Sequence, residues 1–248
     1  MKYKKITGII LAVTLSACSL VFTSCDQNAV SDETSTGYEY KPSESSTISE
    51  DIVESEIKEI KIDNSWKYNF RVNYRYYNPE QSITTMNIEE KKSATAFTVQ
   101  YIDTHSILYY KANGNDTDYY VIIDGEEEQV HSKLSGKKFS SLSSMFMKLS
   151  VVDENLPSQN NVLYMYDEEV AGRNCHKFIQ RGYSDGVLTE SVYLWIDAEF
   201  GFVAKCEAYD KNNVLSVMWE VEEFATGKLK DEDVFLDLSG FNFKEEVG

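Results

Sequence analysis

Seven residues carry the side chains most used for nucleophilic or metal chemistry: Cys18, Cys25, Cys175, Cys206, His105, His131 and His176. A metal site needs thiolates or imidazoles that converge, and no His-x-x-x-His or Cys-x-x-Cys spacing brings them together. Cys175-His176 offers a thiol beside a base. Adjacent residues of a strand point to opposite faces, so a packed thiol and a surface imidazole are expected instead. Glu126-Glu127-Glu128 and Glu222-Glu223 lack the spaced oxygen ligands of a calcium loop and read as solvated faces. No Gly-x-Ser-x-Gly elbow, phosphate loop or dinucleotide fingerprint occurs. No catalytic residue, metal or cofactor is therefore assigned, and a protein that is not an enzyme is expected.

Cys18 and Cys25 belong to a different chemistry. Lys2, Lys4 and Lys5 form a positive start, and Ile6 to Phe22 is apolar with a few small polar residues. That is the pattern of a secretory signal. The stretch sits near the lower limit of the ~17–25 residues that span a bilayer. Thr7, Gly8, Thr14, Ser16 and Thr23 dilute it further. Two sites resemble the lipobox of bacterial lipoproteins: Leu15-Ser16-Ala17-Cys18 and Phe22-Thr23-Ser24-Cys25. The first is the cleaner match. Context favours Cys25, because Asp26, Gln27 and Asn28 follow it, whereas Cys18 would leave Leu20, Val21 and Phe22 at the new terminus. The resemblance implies that this Cys takes a diacylglycerol thioether. Acyl chains bury many CH₂ groups and hold a protein at the bilayer.

The expected organisation is a lipoprotein signal peptide over 1–24, a Ser/Thr/acidic tether over 25–50 and one folded domain over 51–248. The tether has almost no apolar periodicity and cannot offset its chain entropy by burial. The formal net charge is −17. The first 24 residues hold three Lys and no acid, so the remainder is more acidic still. Such a chain repels phosphate backbones and anionic headgroups, which excludes nucleic acid as a partner and adhesion to membranes by charge.

Within the domain, Val53, Ile57 and Ile60 recur at helical spacing and predict a first helix. From Trp66 the period is two: Tyr68, Phe70, Val72, Tyr74 and Tyr76 alternate with polar residues. That predicts a strand with one apolar face. Further strands are expected around 83–90, 96–101, 106–111, 119–124 and 128–132. Phe139, Leu142, Phe146 and Leu149 then return to a helical period and predict a second amphipathic helix. A meander of strands follows near 162–167, 174–181, 188–197, 202–210, 214–224 and 234–238. Its separators include Ala171-Gly172 and Asp185-Gly186. Leu215, Val217, Trp219 and Val221 share one face of the fifth of these. In that order Cys175 and Cys206 lie on next-but-one strands, ~9.6 Å apart. A disulfide wants Cα atoms within ~4.4–6.8 Å, so it is disfavoured.

The segment from Val170 to Phe241 resembles the C-terminal half of LolA/LppX-like proteins, the lipoprotein-carrier superfamily. The resemblance rests on Val170-Ala171-Gly172-Arg173, Tyr193-Leu194-Trp195-Ile196-Asp197, Phe202 to Glu207, Glu222-Glu223-Phe224 and Asp231 to Phe235. It extends loosely over Ile52 to Phe243. It implies a mostly β (α+β) fold: a curved antiparallel sheet forming an incomplete β-barrel, with helices as a lid over an apolar hollow. Relatives hold acyl chains or lipids there, or act through a protein partner. Cavity lining is accordingly expected from Tyr68, Phe70, Val72, Tyr74, Phe139, Leu142, Phe146, Leu215, Val217, Trp219 and Val221. The same residues serve equally as plain core. The implied function is a lipid-anchored, extracytoplasmic protein of the cell membrane that buries a lipid or other apolar ligand without bond chemistry. The alternative is a module for interaction with an extracytoplasmic protein, with its hollow small or filled.

Overall fold

Among the described residues, alternation of apolar and polar residues produces twelve strands, β1 (Phe70–Asn78), β2 (Ile83–Lys92), β3 (Ala96–Tyr101), β4 (Ser106–Asn113), β5 (Asp116–Ile122), β6 (Gln129–Leu134), β7 (Val162–Val170), β8 (Arg173–Ser184), β9 (Val187–Asp197), β10 (Val203–Asp210), β11 (Leu215–Thr226) and β12 (Phe243–Glu246). They belong to a computed structural model that describes residues 58–79, 83–153, 155–159 and 161–246. The signal segment, Cys18, Cys25 and the tether lie outside the described residues, as does most of the expected first helix. Lys58 to Asp63 contain no helix.

All twelve strands form one sheet in the order β12-β6-β5-β4-β3-β2-β1-β11-β10-β9-β8-β7, which is not closed into a barrel. Two meanders, β1–β6 and β7–β11, meet where the first strand pairs with the eleventh, antiparallel. Short hairpins make the meanders. Ala171-Gly172 and Asp185-Gly186 all have positive φ, the geometry of the two-residue turns that match strand twist. β12 is the exception to the antiparallel rule and runs parallel to β6.

Three expected elements are corrected. The strand does not start at Trp66: Asn64–Tyr68 is a 3₁₀ turn, entered at Asp63, whose carboxylate accepts the Ser65 N–H at 2.9 Å. Tyr68 therefore leaves the face of Phe70 and stands 69% exposed. The second helix is broken into a 3₁₀ turn, Phe139–Ser141, and one short helix, α1 (Met145–Leu149), capped by Ser144. The expected strand at 234–238 is irregular chain after a 3₁₀ turn at Asp231–Asp233.

Gly201 shows how closely the entry segment is held. A Cβ there would collide with the Lys61 carbonyl and Ile62 Cα, and its φ is +70°. Asp63 N–H donates to the Phe200 carbonyl at 2.9 Å beside it. Ile60 packs on Leu156, Val162, Phe178 and Ile196.

Candidate functional site

The face of β1 bearing Phe70, Val72, Tyr74 and Tyr76 is the inner face, and all four residues are buried. Its centre is filled by the protein's own rings. Trp66 lies 5.6 Å from Phe70 and 5.4 Å from both Phe146 and Phe202, centroid to centroid. Phe146, on α1, also meets Tyr74 at 5.5 Å, and Phe202 meets Phe224 at 4.6 Å. Edge-to-face and tilted pairs such as these add to the stabilisation from area burial. Ligand binding at this point would require α1 to move.

The 142–149 segment is fixed by charge as well as by rings. Glu90 and Lys92 share the inner face of β2 with Ile88, and all three are buried. Glu90 accepts the Tyr74 hydroxyl at 2.8 Å and the Phe146 N–H at 3.1 Å, which places a carboxyl at the start of α1. Lys92 Nζ donates to the Leu142 carbonyl at 3.1 Å and lies 5.8 Å from the Phe139 ring. Burial raises the Glu90 pKa, and hydrogen bonds from Ser144, Phe146 and Tyr74 oppose the rise. Burial lowers the Lys92 pKa, against the attraction of Glu90. Burial likewise raises the pKa of Tyr74 strongly.

All but one of the other expected strand residues fall on the same face; Leu215 is corrected, because a bulge between β10 and β11 pairs it with Tyr209 on the outer face. Trp219 and Val221 are buried opposite Tyr76 and Tyr74. Val217, opposite Ala208, continues that row half-buried, as Leu142 is. Phe139 is buried. Trp219 Nε1 is buried without a hydrogen-bond partner. The sequence reading missed Trp66, Phe202, Phe224, Glu90 and Lys92. For the last two the signal existed: Met86, Ile88, Glu90 and Lys92 alternate on one face.

Outside, the two halves differ. On β3–β5 the outer face is apolar, with Ala96, Ile107, Tyr109 and Tyr120, and the chain after β11 covers it with Leu229, Val234, Leu236 and Leu238. On β7–β11 Trp195 is buried by cations: Lys177 Nζ lies 4.4 Å and Lys205 Nζ 4.8 Å from its ring. Its Nε1–H donates to Glu168 at 2.7 Å.

His176 Nδ1 is 2.6 Å from Asp167, which also accepts the Tyr164 hydroxyl at 2.9 Å and Lys58 Nζ at 3.3 Å. Burial raises the Asp167 pKa, but these bonds together lower it. Cys175 sits on the opposite face of β8, paired with Asp197, away from the imidazole. Cys175 and Cys206 are buried free thiols on the two strands flanking β9. Burial pushes Cys175 up to about 12 and Cys206 higher still. His105 is on the β3–β4 turn, and His131 stacks on Tyr120 at 4.5 Å. Among the described residues no group of three His, Cys, Asp or Glu side chains is placed to hold a metal ion. A polar depression of about 380 Å³ is lined by Gly172, Arg173, Asn174, Asp197, Ala198 and Glu199. Its one cation is already engaged, since Arg173 bonds Asp197 at 2.6 Å and Glu199 at 2.8 Å.

The architecture defines a class: an open, mostly antiparallel sheet clasped on one side by short helical segments. No family model and no curated protein matches the chain. Among solved structures it is similar to an uncharacterized conserved protein from Thermus thermophilus, with 8% identity, TM-score 0.43, and 75% of this chain and 94% of that one covered. It is also similar to MucB in a MucA/MucB complex from Pseudomonas aeruginosa, with 14% identity, TM-score 0.36, and 70% of this chain and 57% of that one covered. A LolA superfamily protein from Nitrosomonas europaea shows 12% identity, TM-score 0.26 and coverage of 68% and 91%. At these values the likenesses identify no ligand and no partner. Among the described residues, no helix is long and apolar enough to cross a membrane.

Proposed function

We propose that the chain is an extracytoplasmic module without catalytic chemistry, anchored through lipid on Cys25, that binds a protein partner. The observation that carries this reading is the filled inner face. Trp66, Phe70, Tyr74, Phe146, Phe202 and Phe224 occupy the place where a stored acyl chain would lie. The partner's place is the open edge of the sheet. β12 closes the edge at β6, whereas among the described residues no strand pairs with the far side of β7. An open edge accepts an added strand through main-chain hydrogen bonds. Exposed Tyr166 and the run Asp167-Glu168-Glu169 on β7 favour an extended segment bearing Lys or Arg. The test is photo-crosslinking in cells from position 166, with Glu169→Lys as the comparison. A discrete protein adduct that Glu169→Lys diminishes is expected. Equal yields from position 166 and from an outer-face position such as 98 would sink the edge as the docking place.

A second reading is favoured by one observation: the indole N–H of Trp219 is buried beside Tyr76 without a partner. A ligand oxygen between these residues would satisfy it, with α1 displaced to admit an apolar tail. Native mass spectrometry of the mature chain, before and after incubation with membrane lipids, separates the two. A clean unliganded mass is expected. A stoichiometric apolar adduct would transfer the function to lipid binding.

A further inference from the structure

Lys177, on β8, stands among aromatic rings on the outer face. Register puts it there: Tyr166 on β7 pairs with Lys177, and Lys177 pairs with Trp195 on β9. Tyr193 is two residues from Trp195 on β9 and shares its face. The Lys177 Nζ lies 4.4 Å from the Trp195 ring, 4.9 Å from that of Tyr166 and 5.7 Å from that of Tyr193. It donates to the Tyr166 hydroxyl at 2.8 Å, and the Glu168 carboxylate is 3.6 Å away. Rings and a carboxylate around one ammonium make a cation cage, the arrangement by which proteins take up alkylated ammonium groups. Two of its walls are held without Lys177. Trp195 is fixed to Glu168 through its Nε1–H at 2.7 Å, and Tyr193 packs edge-on against Tyr209 at 5.9 Å.

We propose that Lys177 is a stand-in, and that the cage receives a lysine ammonium from the partner segment that docks on the β7 edge. The inference rests on the edge-docking reading above and adds what the edge recognises. Position selects this occupant first. Tyr166 and Glu168 belong to β7, the strand whose far side is unpaired among the described residues. A strand added beyond β7 lies ~4.8 Å from it. The four-carbon stem of a lysine on that strand passes over β7 to the Tyr166 hydroxyl and to Glu168. Tyr166 is 42% exposed, so this wall is open to approach from the edge. Chemistry selects it next: the group already seated is an ammonium on the same stem. Charge agrees, since Asp167, Glu168 and Glu169 follow one another on the receiving strand.

Lys177 is the group placed to give way. The Glu168 oxygen nearest it is the one that accepts the Trp195 N–H, and the Glu168 side chain is half-exposed. An ion pair of that kind holds weakly. Lys205 lies on the same indole at 4.8 Å but is tied elsewhere, to Glu207 at 3.0 Å and Glu220 at 3.8 Å. Displacing Lys177 returns its head to water and leaves the walls standing. Until then it competes as an intramolecular occupant, at high effective concentration. Docking at the edge is therefore selective. A segment without a lysine at the matching position meets a filled cage, whereas one that carries it exchanges one ammonium for another.

The probe is n-butylammonium, a lysine side chain without its backbone, added to the mature chain with n-butanol as the neutral control. The readout is the indole N–H resonance of Trp195, one of three Trp in the chain, assigned by its loss in Trp195→Phe. Lys177→Ala empties the cage, and unmoved Trp66 and Trp219 signals report the fold. Lys177→Thr, a better strand former, repeats the test if the first variant unfolds. The expected result is a saturable shift in Lys177→Ala, half-complete at a concentration about fivefold or more below that of wild type. It is absent with n-butanol and weakened by adding Glu168→Gln. No saturable shift, equal half-saturation in variant and wild type, or an equal shift with n-butanol overturns the proposal. A second arm is photo-crosslinking in cells from position 163, on β7 outside the cage. Lys177→Ala should raise the adduct about twofold or more, with a Lys in the crosslinked segment. A discrete adduct that Lys177→Ala leaves unchanged, or a segment without Lys, overturns the proposal and leaves the edge reading standing. No adduct from position 163 or 166 overturns both.

Discussion

The two halves of the sheet solve one problem in opposite ways. Each has an outer face bearing large aromatic residues. On β3–β5 that face is dry, and Tyr109 is buried because the segment Leu229–Leu238 lies across it. On β8–β10 no segment among the described residues covers the face, and Trp195 is buried by the stems and charges of Lys177 and Lys205. Long cationic side chains can shield an indole while their heads stay in water. A tyrosine with aliphatic neighbours offers less to a cation and is better served by a covering strand of chain. The difference shows that a sheet with a single apolar face describes only the β7–β11 half.

The inner faces differ less, and the shared part of them should dominate stability. Phe146→Ala removes the ring that touches Trp66, Phe70, Tyr74 and Phe202 at once. A loss of about 3–5 kcal/mol is expected from urea unfolding. A loss under about 1 kcal/mol would mean that α1 does not hold the halves together. Val234→Ala tests the covered face alone. Two methyl groups at about 0.8 kcal/mol each predict a loss near 1.5 kcal/mol, plus a cavity contribution. Hydrogen exchange should rise in β3–β5 and stay unchanged in β8–β10. Equal increases in both would erase the distinction between the halves.

Glu90 supplies a pH test that belongs to the β1–β6 half. Its pKa is raised on folding, chiefly by burial. The folded chain therefore holds this proton to higher pH than the unfolded chain does. The stabilisation it gives is complete below the unfolded carboxyl pKa and is lost as pH rises through the folded one. Glu90→Gln keeps an acceptor for Tyr74 and Phe146 and cannot ionise. The variant should flatten the fall in unfolding midpoint above about pH 4.5, taking the ordinary glutamate value as the start. An unchanged pH profile would remove Glu90 as its cause. The smallest effect expected is that of Lys177→Met, which keeps the stem and loses the cation over Trp195. It should cost about 0.5–1 kcal/mol, mostly abolished in high salt for the wild type.

Much of this arrangement was legible in the residues. Period-two alternation found every strand of both meanders, and Ala171-Gly172 and Asp185-Gly186 marked real hairpins. The failures have different causes. Phe139, Leu142, Phe146 and Leu149 have helical spacing, yet the Leu142 carbonyl and the Phe146 N–H are taken by Lys92 and Glu90 from a distant strand. Partners far away in the chain replaced the intrahelical bonds that periodicity assumes. At 234–238 the apolar spacing was real too, but those side chains cover a face instead of joining a ladder. Tyr68 left its expected face because Asp63 supplies a cap, which turned Asn64–Tyr68 before the strand could start.

The pairing of the first strand with the eleventh bears on the order in which such a sheet can assemble. Asn73 Nδ2 bonds Glu223 across a separation of 150 residues. Synthesis proceeds from the N-terminus, so β1 waits for β11 until almost the whole polypeptide has emerged. Closing so long a loop is slow compared with forming a hairpin. Until then each meander can form its own hairpins while the joining faces of β1 and β11 stay unpaired, so the middle of the sheet is the last part to knit.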